Sequence, residues 1–246
     1  MIETRRLTEL DQFTEAVQLQ QEIWGFSDIE LLPVRLFAVA NKIGGHLFGA
    51  YDGDRMIAFL VAIPGLKEAA RGYLHSHMMG VLPEYRNLGL GRTLKLAQRE
   101  DAVARGIPLI EWTFDPLELK NAYLNIEKLG AIMRRYLFNN YGTTTSHLHG
   151  GLPTDRLVAE WWVTEPRTTA IIGVPGSDWN KPDIEARVSI DANIADLRRT
   201  DPAKARDIQL RASTQFSEHF GKGLAVVGFE RSTDAGIYLL APWHSQ

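Results

Sequence analysis

The sequence has no cysteine among its 246 residues. That absence excludes disulfides, thiolate metal centres, iron–sulfur ligation and a thiol nucleophile. An excess of either charge is missing as well, since 27 basic and 30 acidic side chains leave a formal net of −3. Proteins devoted to a phosphate polymer concentrate positive charge, so no nucleic-acid partner is expected. Long apolar runs are also lacking. The longest strongly apolar stretch, 56–63, falls far short of the about 20 residues needed to cross a bilayer. No membrane partner is expected. The opening run Met1-Ile2-Glu3-Thr4-Arg5-Arg6 is not followed by the apolar core of a signal peptide, so the expectation is a cytoplasmic protein. No repeat of fixed period and no low-complexity tract is found.

What is present is an ordinary globular composition, 45% hydrophobic and 23% charged. Apolar spacing predicts a helix over 8–24, with Thr8 and Asp11 at its cap and Leu10, Phe13, Val17 and Trp24 on one face. A second helix starts at Pro33 and runs toward Gly44. The period then changes to two. Strands are predicted over 46–51 and 55–63, joined by Asp52-Gly53-Asp54, and a third over 73–81. A helix over 88–105, closed by Gly106, leads to a strand over 109–114. A short helix over 120–129 stops at Gly130, and strands follow over 131–138 and 158–163.

From 164 to 182 the sequence turns to Pro, Gly, Thr and Asp and reads as a long connection. Beyond it lie a short strand over 188–190, a helix opened by Asp201-Pro202, and a hairpin of 224–230 with 237–240. The class is α/β with a mixed sheet. We expect a domain over 1–165 and a C-terminal helix-plus-hairpin extension over 166–246 packed on it.

One run concentrates the chemical signals: Val81-Leu82-Pro83-Glu84-Tyr85-Arg86-Asn87-Leu88-Gly89-Leu90-Gly91-Arg92-Thr93-Leu94. A strand ends, the chain turns, and two glycines open an amphipathic helix. Glycine lets a ligand approach the backbone. The first helical N–H groups are unpaired, and the helix dipole adds partial positive charge. Such a start cradles a diphosphate, with Arg86 and Arg92 able to add charge. A Rossmann fingerprint would need a third glycine where Leu94 stands. A Walker A loop would need a lysine where Arg92 stands.

Arg86-x-x-Gly89-x-Gly91, preceded by Val81-x-Pro83-x-Tyr85 at a strand end, resembles motif A of the GNAT superfamily of acyl-CoA-dependent N-acyltransferases. Ile126-Glu127-Lys128-Leu129-Gly130-Ala131 resembles the second signature of that family. The order of elements is similar too, over about two thirds of the chain. The resemblance implies a mostly antiparallel central sheet flanked by helices, with acetyl-CoA or another acyl-CoA as co-substrate. Its pyrophosphate would lie on the amides of Leu88, Gly89, Leu90, Gly91, Arg92 and Thr93, beside Arg86 and Asn87. Its pantetheine would run along Met79 and Val81, where the third strand and the 109–114 strand splay apart. Members transfer the acyl group directly to an amine, which agrees with the missing cysteines.

Direct transfer needs a route for the amine proton. Alternation puts Tyr73, His75, His77, Met79 and Val81 on one face of the third strand. Imidazole titrates near neutrality, so His75 and His77 are the candidate bases. His75 stands eleven residues before Arg86, where histone-type members carry a glutamate, and the His-x-His pair resembles that of arylalkylamine N-acetyltransferases. Glu111 is the reserve base. The tyrosine that many members use as general acid would fall at position 126, which is Ile126, so Tyr123 is the candidate substitute.

Asn121 and Asn125 are candidate pantetheine contacts, although the asparagine position of the family is occupied by Leu119. His147-x-His149 lies in a polar loop. A metal enzyme built on the two His-x-His pairs is the distant alternative, and no metal is expected. Trp161 and Trp162 read as core aromatics. The expected acceptor is a small-molecule amine, with a homodimer permitted. The competing reading is a catalytically weak or inactive acyl-CoA-binding module.

Overall fold

Residues 2–6 form a strand that their side chains do not announce. β1 (Ile2–Arg6) is exposed or half-exposed throughout, so it shows no two-residue apolar period. Backbone pairing holds it instead, antiparallel to β2 (His46–Asp52) from Ile2↔Asp52 to Arg6↔Phe48. A computed structural model of the chain describes residues 1–26, 30–68, 71–142 and 151–243. Two compact units emerge, Met1–Trp112 and Thr113–Gln246. His147 and His149 lie outside the described residues.

In the first unit, α1 (Leu10–Trp24) begins two residues later than its spacing suggests. The cap is Glu9 in place of Thr8, because Gln12 reaches back and its Oε1 accepts from the Glu9 and Thr8 N–H groups at 3.1 and 2.8 Å. Leu10 is exposed, while Phe13, Ala16, Leu19 and Ile23 face the core. α2 (Val34–Lys42) starts after Pro33 as expected. β2 and β3 (Arg55–Leu66) form a hairpin, and β4 (Gly72–Val81) adds antiparallel to β3. β5 (Leu109–Phe114) is parallel to β4. Phe13, Phe37 and Phe59 meet in the core beneath α1 and α2, with ring centroids 6.3 and 6.2 Å apart.

The helix between these strands, α3 (Leu90–Ala104), is tied to the sheet by charge. The fully buried His46 on β2 places Nε2 2.6 Å from Asp101 Oδ2. Arg6 and Arg105 also donate to Asp101, at 2.8 and 3.0 Å. Burial pushes the His46 imidazole down to about 4, outweighing the attraction of Asp101, and Arg105 and Arg6 oppose its protonation further.

In the second unit, α4 (Leu119–Tyr123) passes into a π-helical stretch, Leu124–Lys128, in place of a regular helix over 120–129. β6 (Ile132–Leu137) pairs antiparallel with both β7 (Arg156–Trp162) and β9 (Leu224–Arg231). β9 continues to β10 (Ala235–Pro242), and β10 to β8 (Ala186–Asp191), all antiparallel. The segment 164–182 is not a plain connection. Pro166 starts α5 (Pro166–Ile172), and Gly173 ends it. A further short helix, α6 (Ile194–Thr200), precedes the expected α7 (Pro202–Gly221), whose cap is the Asp201 side chain accepting from the Lys204 N–H. Buried Ala205, Ile208, Ala212 and Phe216 form its inner stripe.

The end of the π-helical stretch explains the sequence Leu129-Gly130-Ala131. Gly130 has φ +81°, and a Cβ there would stand 3.0 Å from Thr168 Cα on α5. Buried Arg167 donates to the carbonyls of Gly130 and Ile126 at 3.1 and 3.2 Å, and the Trp161 indole donates to that of Leu129 at 2.6 Å. Trp161 is thus a core residue with its one polar atom satisfied.

Two outcomes follow from this packing. Gly130→Ala is expected to cost more than the about 1–2 kcal/mol of left-handed strain alone, because Thr168 backbone blocks the methyl; urea unfolding measures it. Stability should fall as pH drops from 6.5 toward 4, because the unfolded chain takes a proton on His46 that the folded one refuses. His75 and His77 are lowered too and add to that slope. The unfolding free energy of His46→Gln should therefore depend less steeply on pH than that of the parent.

Candidate active site

β4 carries the candidate bases His75 and His77, and it is not a regular strand. Ala62 of β3 pairs with Ser76, and the next residue back, Val61, pairs with Met78. His77 is left over as a bulge, two residues opposing one. The bulge changes which side chains share a face. His75 opposes Ile63 and Met78 opposes Val61, whereas Ser76, Met79 and Val81 oppose Ala62, Leu60 and Ala58. Cross-strand partners project to one side. Met79 and Val81 therefore share a face with Ser76, not with His75, and the strict alternation expected for 73–81 fails at His77.

The other edge of β4 is open beyond the same point. Its parallel ladder with β5 comprises Leu74↔Ile110 and His75↔Glu111. Among the described residues, β4 keeps only its β3 partner from Ser76 to Val81. A strand with one free edge offers backbone amides and carbonyls to an extended ligand.

His75 and His77 lie side by side, ring centroids 6.0 Å apart. His75 is half-buried, and burial pushes its imidazole down to about 4, with His77, Lys95 and Lys67 opposing protonation further. His77 reaches solvent at the bulge, yet the protein around it also holds it below the ordinary histidine value. Glu111, opposite His75, is buried with Lys67 Nζ 2.7 Å from its carboxylate, and Lys67 also sits 4.8 Å from the Tyr73 ring centroid. That carboxylate already has a cation.

After β4 the chain makes a turn of 3-10 helix, Pro83–Tyr85, pinned at both ends. The Leu82 N–H donates to Ile57 O at 3.0 Å, and Arg86 Nε donates back to Val81 O at 3.3 Å. Asn87 and Gly89 then take left-handed φ values of 67° and 81°. α3 thus begins at Leu90, two residues after the expected Leu88, because these left-handed residues belong to the turn. No side chain caps Gly89, and the first backbone bond of the helix is Thr93 N–H to Gly89 O at 3.1 Å. A Cβ at Gly89 would meet nothing within 4 Å. Arg86, Asn87, Leu88, Gly89 and Thr93 are exposed, and Gly91 and Arg92 half-exposed. An open helix start flanked by two guanidinium groups suits an anion.

Tyr123 belongs to the second unit. Two cations approach its ring, Arg231 Cζ at 4.1 Å and Lys128 Nζ at 5.3 Å from the centroid. Asn121 is exposed and Asn125 buried. Among the described residues no cluster of three or more His, Asp or Glu could hold a metal ion. The feature missed by sequence reasoning is a buried polar pair, Ser76 on β4 and Lys95 on α3. A lysine on the inward stripe of α3 was the signal for it.

Residues 11–130 match the family model described as "Acetyltransferase (GNAT) family". No curated protein matches the chain by sequence. Among solved structures, the ribosomal-protein-S18-alanine N-acetyltransferase from Escherichia coli aligns with a TM-score of 0.53 at 20% identity, over 67% of this chain and 96% of that one. Arabidopsis thaliana NAA60, in complex with a bisubstrate analogue, aligns at 0.53 and 14% identity, over 66% and 98%. The NatC complex bound to Gag peptide and CoA contains a chain aligning at 0.52 and 16%, over 65% and 96%. At such identities the likeness is one of fold. The family match over residues 11–130 and the shared fold mark this stretch of the chain as a GNAT acetyltransferase domain.

Proposed function

We propose that the chain moves an acetyl or other acyl group from acyl-CoA directly to an amine of a small molecule. The observation that carries this reading is the uncapped start of α3 beside a strand with one free edge. In this reading the pyrophosphate lies on the amides of Leu88 to Thr93, with Arg86 and Arg92 beside it. Pantetheine follows the open edge of β4 past Val81 and Met79 toward the bulge. Relatives of this fold were solved with CoA or with a bisubstrate analogue, which supports the donor.

His75 is the proposed proton acceptor. Burial keeps its imidazole unprotonated across the neutral range, ready to take a proton directly or through water. Glu111, paired with His75 across the β4–β5 ladder, holds Lys67, whose charge opposes protonation of the imidazole. His77, at the bulge, borders the acceptor path. Tyr123 is the proposed acid for the departing thiolate.

A small acceptor accords with a net charge of −3, which offers no strong acidic field for a basic protein tail. Solved relatives include one named for a ribosomal-protein alanine and one bound to a peptide, so peptides belong in the test. The proposed location is cytoplasmic. Among the described residues no helix is long and apolar enough to cross a membrane.

CoA release is followed with a panel of small amines and of peptide N-termini; the reading expects higher kcat/KM for small amines, and a preference for peptides overturns it. Arg86→Ala and Arg92→Ala should each weaken CoA about tenfold or more, the loss of a charge-assisted hydrogen bond of about 1.5–3 kcal/mol, leaving the KM for amine unchanged. His75→Ala should lower kcat by about 100-fold or more. Because His75 is active unprotonated, its acid limb should lie near 4, where a histidine of ordinary value would put it near 6.5. A limb at the ordinary value that disappears in His75→Ala would remove the burial argument.

A further inference from the structure

One face of the sheet already holds an ammonium group. Ile63 and Gly65 of β3 pair with His75 and Tyr73 of β4, and His75 pairs with Glu111 of β5. Cross-strand partners project to one side, so Tyr73, His75 and Glu111 share a face. Lys67 follows Leu66, the last residue of β3, and its side chain is seated on that face. Its Nζ stands 2.7 Å from each carboxylate oxygen of Glu111 and 4.8 Å from the Tyr73 ring centroid.

The seat suits a cation. The Glu111 side chain is 6% exposed, and a carboxylate so far withdrawn from water requires a positive partner. The aromatic face adds a second attraction for positive charge. That face is fixed in place, because the Tyr73 ring rests on Gly65, where a Cβ would run into it. The occupant is replaceable by comparison. The Lys67 side chain is 32% exposed and flexible, so the path its stem takes from the chain just past β3 also leads to solvent.

Charge bookkeeping favours an exchange of occupants. On the acyl-transfer reading above, on which this step rests, the acceptor arrives as an ammonium and gives a proton to His75. Lys67 opposes protonation of that imidazole for as long as it stays. An acceptor ammonium in the same seat is itself the charge that moves to the imidazole. The transfer then leaves no second positive charge facing His75 from Glu111.

We propose that Glu111 and Tyr73 form the cation subsite of the acceptor, that its ligand class is a primary alkylammonium, and that Lys67 is the resident occupant which the acceptor displaces. Lys67 swings to solvent, and the incoming ammonium rests on the carboxylate and the ring. His75 takes one proton from it. The neutral amine nitrogen bonds to the thioester carbonyl carbon, the C–S bond breaks, and a second amine proton goes to the departing CoA thiolate. The products are the amide and free CoA thiol, and His75 returns its proton to solvent. A resident competitor also makes the seat selective, since a ligand lacking either the charge or the fit to the ring does not displace it.

Calorimetry without acyl-CoA measures binding of n-butylamine, the free equivalent of a lysine side chain, to the parent, to Lys67→Ala and to Lys67→Gln. The glutamine variant keeps a hydrogen-bond donor for Glu111 and serves where Lys67→Ala fails to fold. Uncharged n-butanol is the control ligand. The variants should bind n-butylamine about tenfold or more tighter than the parent, because a tethered competitor acts at millimolar effective concentration. Neither should bind n-butanol, and adding Glu111→Gln to Lys67→Gln should abolish the gain. In the CoA-release assay the KM for small amines should fall in Lys67→Gln while the KM for acyl-CoA stays. Equal affinity of parent and variants for n-butylamine, or equal binding of n-butanol, overturns the subsite, and CoA release with amines in the same proteins leaves the acyl-transfer reading standing. Tighter n-butylamine binding by the variants with no CoA release from any amine upholds the subsite and overturns the acyl-transfer reading.

Discussion

One surplus residue in β4 governs the arrangement of the site. With His77 opposed by nothing on β3, the strand loses its two-residue phase, and the side chains before and after it exchange faces. His75 stays with Ile63 and, across β5, with Glu111. Ser76 joins Met79 and Val81 on the face that meets α3. A regular strand would have put His75, His77, Met79 and Val81 on one surface. The bulge divides them between two faces of a strand whose β5-side ladder ends at His75.

That edge is useful only if the helix start beside it holds its place. Arg86 and Leu82 tie the turn to the ends of β4 and β3, and the far end of α3 is fixed through Asp101 to His46, Arg6 and Arg105. Position along α3 is thus set at both ends by polar contacts. The apolar stripe between them is free to carry Lys95 and Gln98, substitutions that a helix held by packing alone would tolerate poorly.

The sequence disclosed these elements unevenly, for physical reasons. Glycines at 89 and 91, a preceding strand and a following amphipathic period announced the turn and α3, because a left-handed residue and an uncapped helix start demand special residue types. The Leu129-Gly130 stop was legible for the same reason. β1 was not, since a strand exposed on both sides leaves no apolar period. The bulge was not, since His77 looks like any alternating residue and its displacement is decided by pairing with β3. α5 was hidden in a Pro- and Gly-rich stretch whose Pro166 and Gly173 mark a helix start and stop as readily as a loop. Glu111 read as an available base until the fold brought Lys67 to it from 44 residues away.

The two faces of β4 are electrostatically linked. Lys95 is among the groups that depress His75, together with His77 and Lys67. A proton on the amine makes the imidazole less basic, and a neutral amine restores it. Burial, which drives the Lys95 amine well below its ordinary range, therefore leaves His75 a better proton acceptor than an ammonium on the other face of β4 would allow.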